Sequence, residues 1–237
     1  MKRRKGNWDY LLNSLNPDIA LLQETSSFAH EVDKTQISQA AVKRNVRNTI
    51  FVKSKPHERL KMPSKKSYDG EYPSGMGIIC SKVNEVDIGS LFAICVYGNL
   101  SFSPGLHYPL LGLITLFVTM LRNDHGAEHI ILSGDLNMDR RMDDNPTGTR
   151  FARKGEKVTN AFFDGILNLG FSDCLRKFYP DYVQTYRHNR GNYPWELDHV
   201  FATDLPYKRL HAIEVMDDPV VRTLSDHNPI VADFQIA

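Results

Sequence analysis

The residues of this sequence that are best suited to chemistry lie where short apolar runs end. Glu24 follows the run Ile19–Leu22, and Asp135 and Asn137 follow the run His129–Leu132. Strand ends are rigid, and in layered α/β folds the loops beyond them collect ligands and catalytic groups. If these ends converge, two carboxylates and an amide share one pocket.

Two further polar positions extend this pattern toward the C-terminus. Asp198 lies in the apolar run Leu197–Ala202, and Asp226 and His227 precede the run Ile230–Phe234. The complete set offers carboxylates, an amide and one imidazole, but no thiolate. Such donors suit a hard, oxygen-liganded cation, so we expect Mg²⁺ or Mn²⁺ here rather than zinc.

Each of these positions also has a purely structural interpretation. Glu24 would serve as a surface or helix-capping residue, and Asp198 as the partner of a nearby arginine. The sequence Gly-Asp-x-Asn around Asp135 is well suited to a turn after a strand, and so is the segment Asp226–Asn228 ahead of a proline. The chemical interpretation therefore depends on the motifs occurring together.

Four segments resemble, in order, the motifs of the endonuclease/exonuclease/phosphatase superfamily. This family includes exonuclease III, abasic-site endonucleases, DNase I, inositol polyphosphate 5-phosphatases and neutral sphingomyelinases. The resemblance covers residues 8–234 and implies a four-layer α/β sandwich, in which two mixed sheets pack face to face with helices outside. The segments are IALLQET (19–25), GDLN (134–137), ELDHVF (196–201) and SDHNPI (225–230).

The resemblance implies roles for two residues at a metal site and for two that act on the water and the phosphate. Glu24 matches the family's metal-binding glutamate, and Asp226 matches a second residue at the metal site. Asp135 matches the residue that orients or deprotonates the attacking water. Asn137 matches its partner, which holds a phosphate oxygen.

The resemblance also implies a histidine pair. His227 matches the histidine that faces the scissile phosphate, and Asp198 matches the carboxylate that orients it. An aspartate beside an imidazole raises the imidazole pKa and fixes the ring. With a metal ion, this set is sufficient for phosphoester hydrolysis.

Tyr97 helps to predict the class of substrate. It resembles a phosphate-contacting tyrosine of exonuclease III-like enzymes, where DNase I and the lipid phosphatases carry histidine. The resemblance therefore favours a nuclease that acts on DNA. A phosphatase or phosphodiesterase for lipid or inositol phosphates is the alternative enzyme, and a tyrosine that only packs its ring remains a structural alternative for Tyr97.

The N-terminus departs from the family pattern. Family members begin with a strand that ends in an asparagine of the metal site, whereas Met1–Arg4 resemble the segment that follows this strand. We therefore expect a single domain over residues 1–237 that lacks the first strand. This leaves a third possibility, a non-catalytic relative.

Composition and cysteine usage set outer limits. The chain has 29 Lys and Arg against 28 Asp and Glu residues, a net charge of +1. This argues against a passive nucleic-acid coat, though not against an enzyme, since a carboxylate cluster offsets basic residues elsewhere. The three cysteines lack CxxC spacing, which predicts neither disulfides nor a thiolate zinc site and favours a reducing intracellular compartment, cytoplasmic or nuclear.

Apolar runs predict the positions of the main elements. The run Leu106–Leu121 is short of the roughly 20 residues that span a bilayer, so we expect a core helix and no membrane insertion. Residues 26–48 show weak helical periodicity, and Lys53–Pro73 reads as a long loop. Further helices are predicted at Trp8–Leu15 and Thr159–Leu169, and strands at Ile19–Glu24, Thr49–Val52, Met76–Cys80, Leu91–Tyr97, His129–Leu132, Leu197–Ala202 and Ile230–Phe234.

Overall fold

The computed structural model describes residues 2–25, 32–43, 46–61, 77–98, 107–144, 158–187 and 194–236. The helices are α1 (Lys2–Asp9), α2 (His107–His125), α3 (Val158–Asn168), α4 (Cys174–Phe178), α5 (Asp204–Arg209) and α6 (Pro219–Leu224). The strands are β1 (Ile19–Thr25), β2 (Ile37–Lys43), β3 (Val46–Val52), β4 (His57–Leu60), β5 (Gly77–Val86), β6 (Gly89–Tyr97), β7 (His129–Asp135), β8 (Ser172–Asp173), β9 (Asp198–Ala202), β10 (Leu210–Val215) and β11 (Ile230–Phe234).

The central layer is a six-stranded mixed sheet in the order β4-β5-β6-β7-β9-β8. Strands β6 and β7 run parallel, joined by the long helix α2, and the other neighbours are antiparallel. Both faces of this sheet are covered, which explains why its inner strand β6 is continuously apolar from Leu91 to Val96. In β6, Phe92, Ile94 and Val96 belong to one core cluster, while Leu91 and Cys95 belong to the other.

One face of the six-stranded sheet packs against helices α2 and α3. Residues Leu110, Ile114, Phe117 and Leu121 recur every three or four positions along α2 and are almost fully buried. Helical spacing places all four on one side of the helix, against the sheet. The predicted core helix is thus observed as α2 from His107 onward, with Leu106 outside the described residues. No helix in the described part of the chain has the length and apolarity to cross a bilayer.

The other face packs against a second layer of strands. This layer consists of a three-stranded sheet, β1-β3-β2, and the pair β10-β11, all with antiparallel pairings. Ile50 and Val52 of β3 and Ile213 of β10 are buried in the same cluster as Leu91 and Cys95. The two layers therefore share one apolar core.

The outermost layer is α1 with a π-helical continuation over Tyr10–Leu15. Trp8 packs with Ala20 and Phe51 on the outer face of the three-stranded sheet. The order is thus helices, six-stranded sheet, smaller sheets and helix, which confirms the predicted four-layer α/β sandwich. The mixed character is confined to the six-stranded sheet among the described pairings.

Several segments differ from the sequence-based prediction. Residues 26–48 contain strand β2 and the start of β3 instead of a helix, and Lys53–Pro73 contains strand β4. Strand β10 and the short helices α4 to α6 were not predicted. These segments are half-exposed or short, so cross-strand partners rather than their own periodicity decide their conformation.

A cavity of about 860 Å³ separates the two parts of the second strand layer. Consecutive residues of β1 and β11 line it, whereas a strand face would present only alternate residues. The cavity therefore runs along the strand edges, and among the described residues β1 pairs only with β3 and β11 only with β10. Its floor includes Leu91 and Ile131 of the six-stranded sheet.

We predict that fusing one apolar strand ahead of Met1 raises the melting temperature. The strand would pair with the edges of β1 and β11 that border the cavity and would cover its apolar walls, both of which are favourable. A rise of several degrees is expected, because about 1 kcal/mol shifts the Tm of a chain this size by roughly 2–4 °C. A Gly/Ser extension of equal length is the control in differential scanning calorimetry. Equal melting temperatures for the two fusions would contradict the prediction.

Candidate active site

The site lies at one end of the six-stranded sheet, where β6 and β7 end beside the start of β9. Asp135 closes β7, with Tyr97 of β6 as its neighbour on one side and Asp198 of β9 on the other. Two glycines allow the backbones to approach closely here. A Cβ on Gly134 would collide with the Val96 carbonyl, and one on Gly98 with the Leu136 carbonyl.

Asn137 holds the Asp135 carboxylate in place. Its backbone N–H donates to Asp135 Oδ1 over 2.9 Å, and its side-chain amide donates to Asp135 Oδ2 over 2.9 Å and to the Gly98 carbonyl over 2.6 Å. The backbone of Asn137 is left-handed, with φ of 54°, a conformation that asparagine tolerates better than most residues. The predicted pair is thus brought together, and both residues are buried.

Asp198 and His227 form the second predicted pair. His227 Nδ1 lies 2.8 Å from Asp198 Oδ2, and both side chains are partly exposed to the cavity. With Nδ1 bonded to the carboxylate, the ring presents Nε2 to its surroundings. The ring of Tyr186 packs against the imidazole at a centroid distance of 4.8 Å.

The two pairs converge on one point. One ligand atom from each of Asp135, Asp198 and His227 lies within 4.8 Å of the others, and all three residues line the 860 Å³ cavity. Residues about 30 to 90 positions apart in sequence are thus joined at the ends of adjacent strands.

Burial and neighbouring charges shift the pKa values of Asp135 and His227 in this cluster. Burial raises the pKa of Asp135 to about 8, with a further contribution from the charge of Asp198 that the charge of His227 partly offsets. Burial lowers the pKa of His227, but the charge and hydrogen bond of Asp198, with Asp135 and Asp226, outweigh it and raise the pKa to about 9. The imidazolium is therefore the counter-ion of the carboxylates.

Glu24 and Tyr97 form a third group on the same cavity. The Tyr97 hydroxyl donates to Glu24 Oε1 over 2.6 Å, and burial followed by this hydrogen bond raises the pKa of Tyr97. Glu24 has a left-handed backbone, with φ of 51° at a break in the β1–β3 register, which re-aims its side chain. Its charge also raises the pKa of Asp135, so the two carboxylates interact.

Asp226 is the most peripheral of the predicted residues. It is exposed, it lines the cavity, and its charge contributes to the raised pKa of His227. Asp226 and Glu24, the two predicted metal residues, thus border the cavity, whereas the tightest group of ligand atoms among the described residues is Asp135, Asp198 and His227.

The donor set fits a divalent cation. Glu24, Asp135, Asp198 and Asp226 surround one cavity, and His227 is the cationic side chain hydrogen-bonded within this group. Burial, together with the charges of Asp198 and Glu24, raises the pKa of Asp135, so a bound cation would favour its ionised form. An oxygen-rich site of this charge is the kind that Mg²⁺ and Mn²⁺ prefer.

A buried ionic network supports the site from behind and was not foreseen. The fully buried Asp139 accepts hydrogen bonds from Arg141 Nε and from the Glu196 backbone N–H, each over 2.9 Å. Glu196, also buried, is paired with Arg176. The network fastens the loop after β7 to the segment before β9. Charged residues are usually exposed, so the sequence alone did not predict that Asp139 and Glu196 would be buried.

Comparison with known proteins gives one family and one fold. A family model described as the Endonuclease/Exonuclease/phosphatase family matches residues 7–227. No curated protein matches the chain at a significant level.

Solved structures resemble the chain over nearly its whole length. One is the 3' phosphatase NExo from Neisseria bound to product DNA hairpin, with 21% identity, a TM-score of 0.73, and coverage of 98% of this chain and 94% of that one. An AP endonuclease from Archaeoglobus fulgidus has 21% identity, a TM-score of 0.68, and coverage of 97% and 92%. The AP endonuclease LMAP from Leishmania major has 17% identity, a TM-score of 0.67, and coverage of 96% and 82%.

The raised pKa of His227 gives a test of the cluster. In protein stripped of metal, we expect the imidazole to titrate near pH 9 by NMR, against an ordinary value of 6.5. The pair therefore stabilises the fold below pH 6.5, and this contribution is lost as the pH rises to about 9. Asp198→Asn should lower the midpoint, because burial remains while its main opposing cause is removed. If His227 titrates at the same pH in Asp198→Asn as in the wild type, the assignment of Asp198 as the partner of His227 is wrong.

Proposed function

Because the chain belongs to the endonuclease/exonuclease/phosphatase family, we propose that it is a divalent-metal-dependent phosphodiester hydrolase, a nuclease that acts on DNA. The observation that carries the proposal is the convergence of Asp135, Asp198 and His227 within 4.8 Å, on a cavity that Glu24 also borders. This arrangement combines a general base, a cationic group and oxygen donors for a metal.

The histidine pair supplies positive charge at the phosphate. With a pKa of about 9, His227 is protonated at neutral pH, and its Nε2–H can donate to a phosphoryl oxygen while Asp198 holds Nδ1. Charge builds on those oxygens as the phosphoester bond breaks, so a fixed imidazolium stabilises the transition state more than the ground state.

Asp135 and Asn137 act on the water and the phosphate. The carboxylate of Asp135, fixed by two hydrogen bonds from Asn137, is oriented to accept a proton from an attacking water. The Asn137 amide donates to both Asp135 Oδ2 and the Gly98 carbonyl, so it would exchange one of these partners to hold a phosphate oxygen as substrate enters. The pKa of about 8 in the metal-free protein means that Asp135 needs added positive charge to be fully ionised at neutral pH.

Glu24 and Asp226 would hold the metal, with Asp135 close enough to interact electrostatically with Glu24. When bound, a divalent cation neutralises phosphoryl charge and lowers the pKa of groups beside it. The Tyr97 hydroxyl, which donates to Glu24, would both orient this carboxylate and lie near a bound phosphate.

The choice of DNA as substrate rests on two supports. The similar solved structures include a 3' phosphatase bound to a DNA hairpin and two AP endonucleases. Tyr97 occupies the position at which the resemblance favours the nuclease branch. We propose DNA ahead of lipid or inositol phosphates on these grounds.

The function is tested by hydrolysis assays on chelated protein with added Mg²⁺ or Mn²⁺. We expect metal-dependent cleavage of plasmid, single-stranded or abasic DNA, and loss of metal binding by calorimetry in Glu24→Gln. The exposed Glu128, changed to Gln, is the matched control and should behave as wild type. Activity that survives full chelation would reject the metal proposal. Cleavage of a generic phosphodiester or an inositol phosphate but of no DNA would reject the proposed substrate.

The histidine pair is tested by a double-mutant cycle. If Asp198 acts through His227, then Asp198→Ala and His227→Ala each lower kcat, and the double variant loses little more than the worse single variant. General acid–base and electrostatic groups of this kind contribute on the order of 10² to 10⁴ in rate. Losses that multiply fully in the double variant would show that the two residues act separately.

A further inference from the structure

A short segment outside every recognised motif connects the two members of the histidine pair. Thr185 is fully buried, and its Oγ1 accepts hydrogen bonds from the backbone N–H groups of Leu197 and Asp198, each over 2.9 Å. These donors belong to the residues that enter β9, directly at the catalytic carboxylate. A hydroxyl oxygen has two acceptor lone pairs, and both are used here.

The backbone of the same segment binds the loop that carries His227. The Asn228 N–H donates to the Thr185 carbonyl over 2.7 Å, and Tyr186 forms bridges with both Trp195 and His227. The segment thus pairs with the entry to β9 on one side and with residues 227 and 228 on the other. It fixes the separation between the Asp198 carboxylate and the His227 ring.

The hydroxyl is hard to replace at this position. Leu197 is buried and Thr185 is fully buried, so water has little access to the two N–H groups. Without Oγ1, those donors must find other partners or remain unsatisfied, and the chain would shift to avoid this cost. A shift at Asp198 directly changes the 2.8 Å contact with His227.

We propose that Thr185 is a positioning residue of this site, whose hydroxyl oxygen fixes the Asp198 backbone and thereby the orientation of His227. Thr185 does not contact the reacting atoms, so its effect passes through Asp198. The effect on turnover rests on the proposed hydrolase function, whereas the effect on the His227 ring does not.

The chain offers a matched control in Thr203, at the opposite end of the same strands. Thr203 is also buried, and its Oγ1 accepts from the Ile130 N–H over 2.9 Å and donates to the Glu128 carbonyl over 2.9 Å. Changing it to valine removes a similar buried hydroxyl from β7 and β9 but leaves the site end of these strands intact. Thr203→Val therefore reports the purely structural cost of such a change.

The experiment compares Thr185→Val, Thr185→Ser and Thr203→Val in the otherwise intact protein. The readouts are the NMR signals of the His227 imidazole in metal-free protein and kcat on a generic phosphodiester with saturating Mg²⁺. We expect Thr185→Val to change the His227 Nδ1 signal and lower kcat by about 10- to 100-fold, the cost of misplacing a supporting group. Thr185→Ser should restore both, and Thr203→Val should lower the melting temperature alone.

A second comparison tests the path through Asp198. In an Asp198→Asn background, Thr185→Val should cost little more in kcat, since the interaction it supports is already weakened. If Thr185→Val does not fold, Thr185→Cys replaces it, because sulfur is a weaker acceptor. An unchanged His227 signal in the variant that folds, or an equal effect from Thr203→Val, would overturn the proposal. Absence of hydrolysis in wild type would reject the proposed function, and the NMR comparison would still decide the role of Thr185.

Discussion

The site depends on one electrostatic constraint, the burial of the Asp135 carboxylate beside Asp198. Burial raises the pKa of Asp135 to about 8, and repulsion from the Asp198 carboxylate at the neighbouring strand end contributes to this rise. The His227 imidazolium, held 2.8 Å from Asp198, offsets part of this effect on Asp135. The surrounding structure serves to hold these three groups together.

The architecture meets this constraint by joining distant segments through rigid strands. The parallel pair β6–β7 and the antiparallel pair β7–β9 bring three strand ends to the same edge, with glycines at positions 98 and 134 where the backbones touch. Buried ion pairs around Asp139 and Glu196 then fasten the adjoining loops. Side chains in such a frame are held in place by the fold itself, the condition under which electrostatic catalysis is most effective.

The second strand layer obeys a different constraint. Strands β1 and β11 both contribute to the site at their ends, through Glu24 on one side and the segment ahead of Ile230 on the other. Between them lies a cavity bordered by strand edges, whose backbone groups favour pairing. The Glu24 side of the site thus borders this cavity, while Asp135 and Asp198 lie on adjacent strands inside the six-stranded sheet.

The sequence by itself determined the core strands and the helices α2 and α3, because apolar periodicity is carried by neighbouring positions. Its resemblance to a known family implied the four-layer class and the seven candidate residues. The sequence did not reveal strands β2, β4 and β10, or the roles of Thr185, Asp139 and Glu196. Those polar residues become significant only through partners such as Asp198, 13 positions from Thr185. Tertiary structure decides such contacts, because burial and hydrogen-bond satisfaction depend on which distant segments meet.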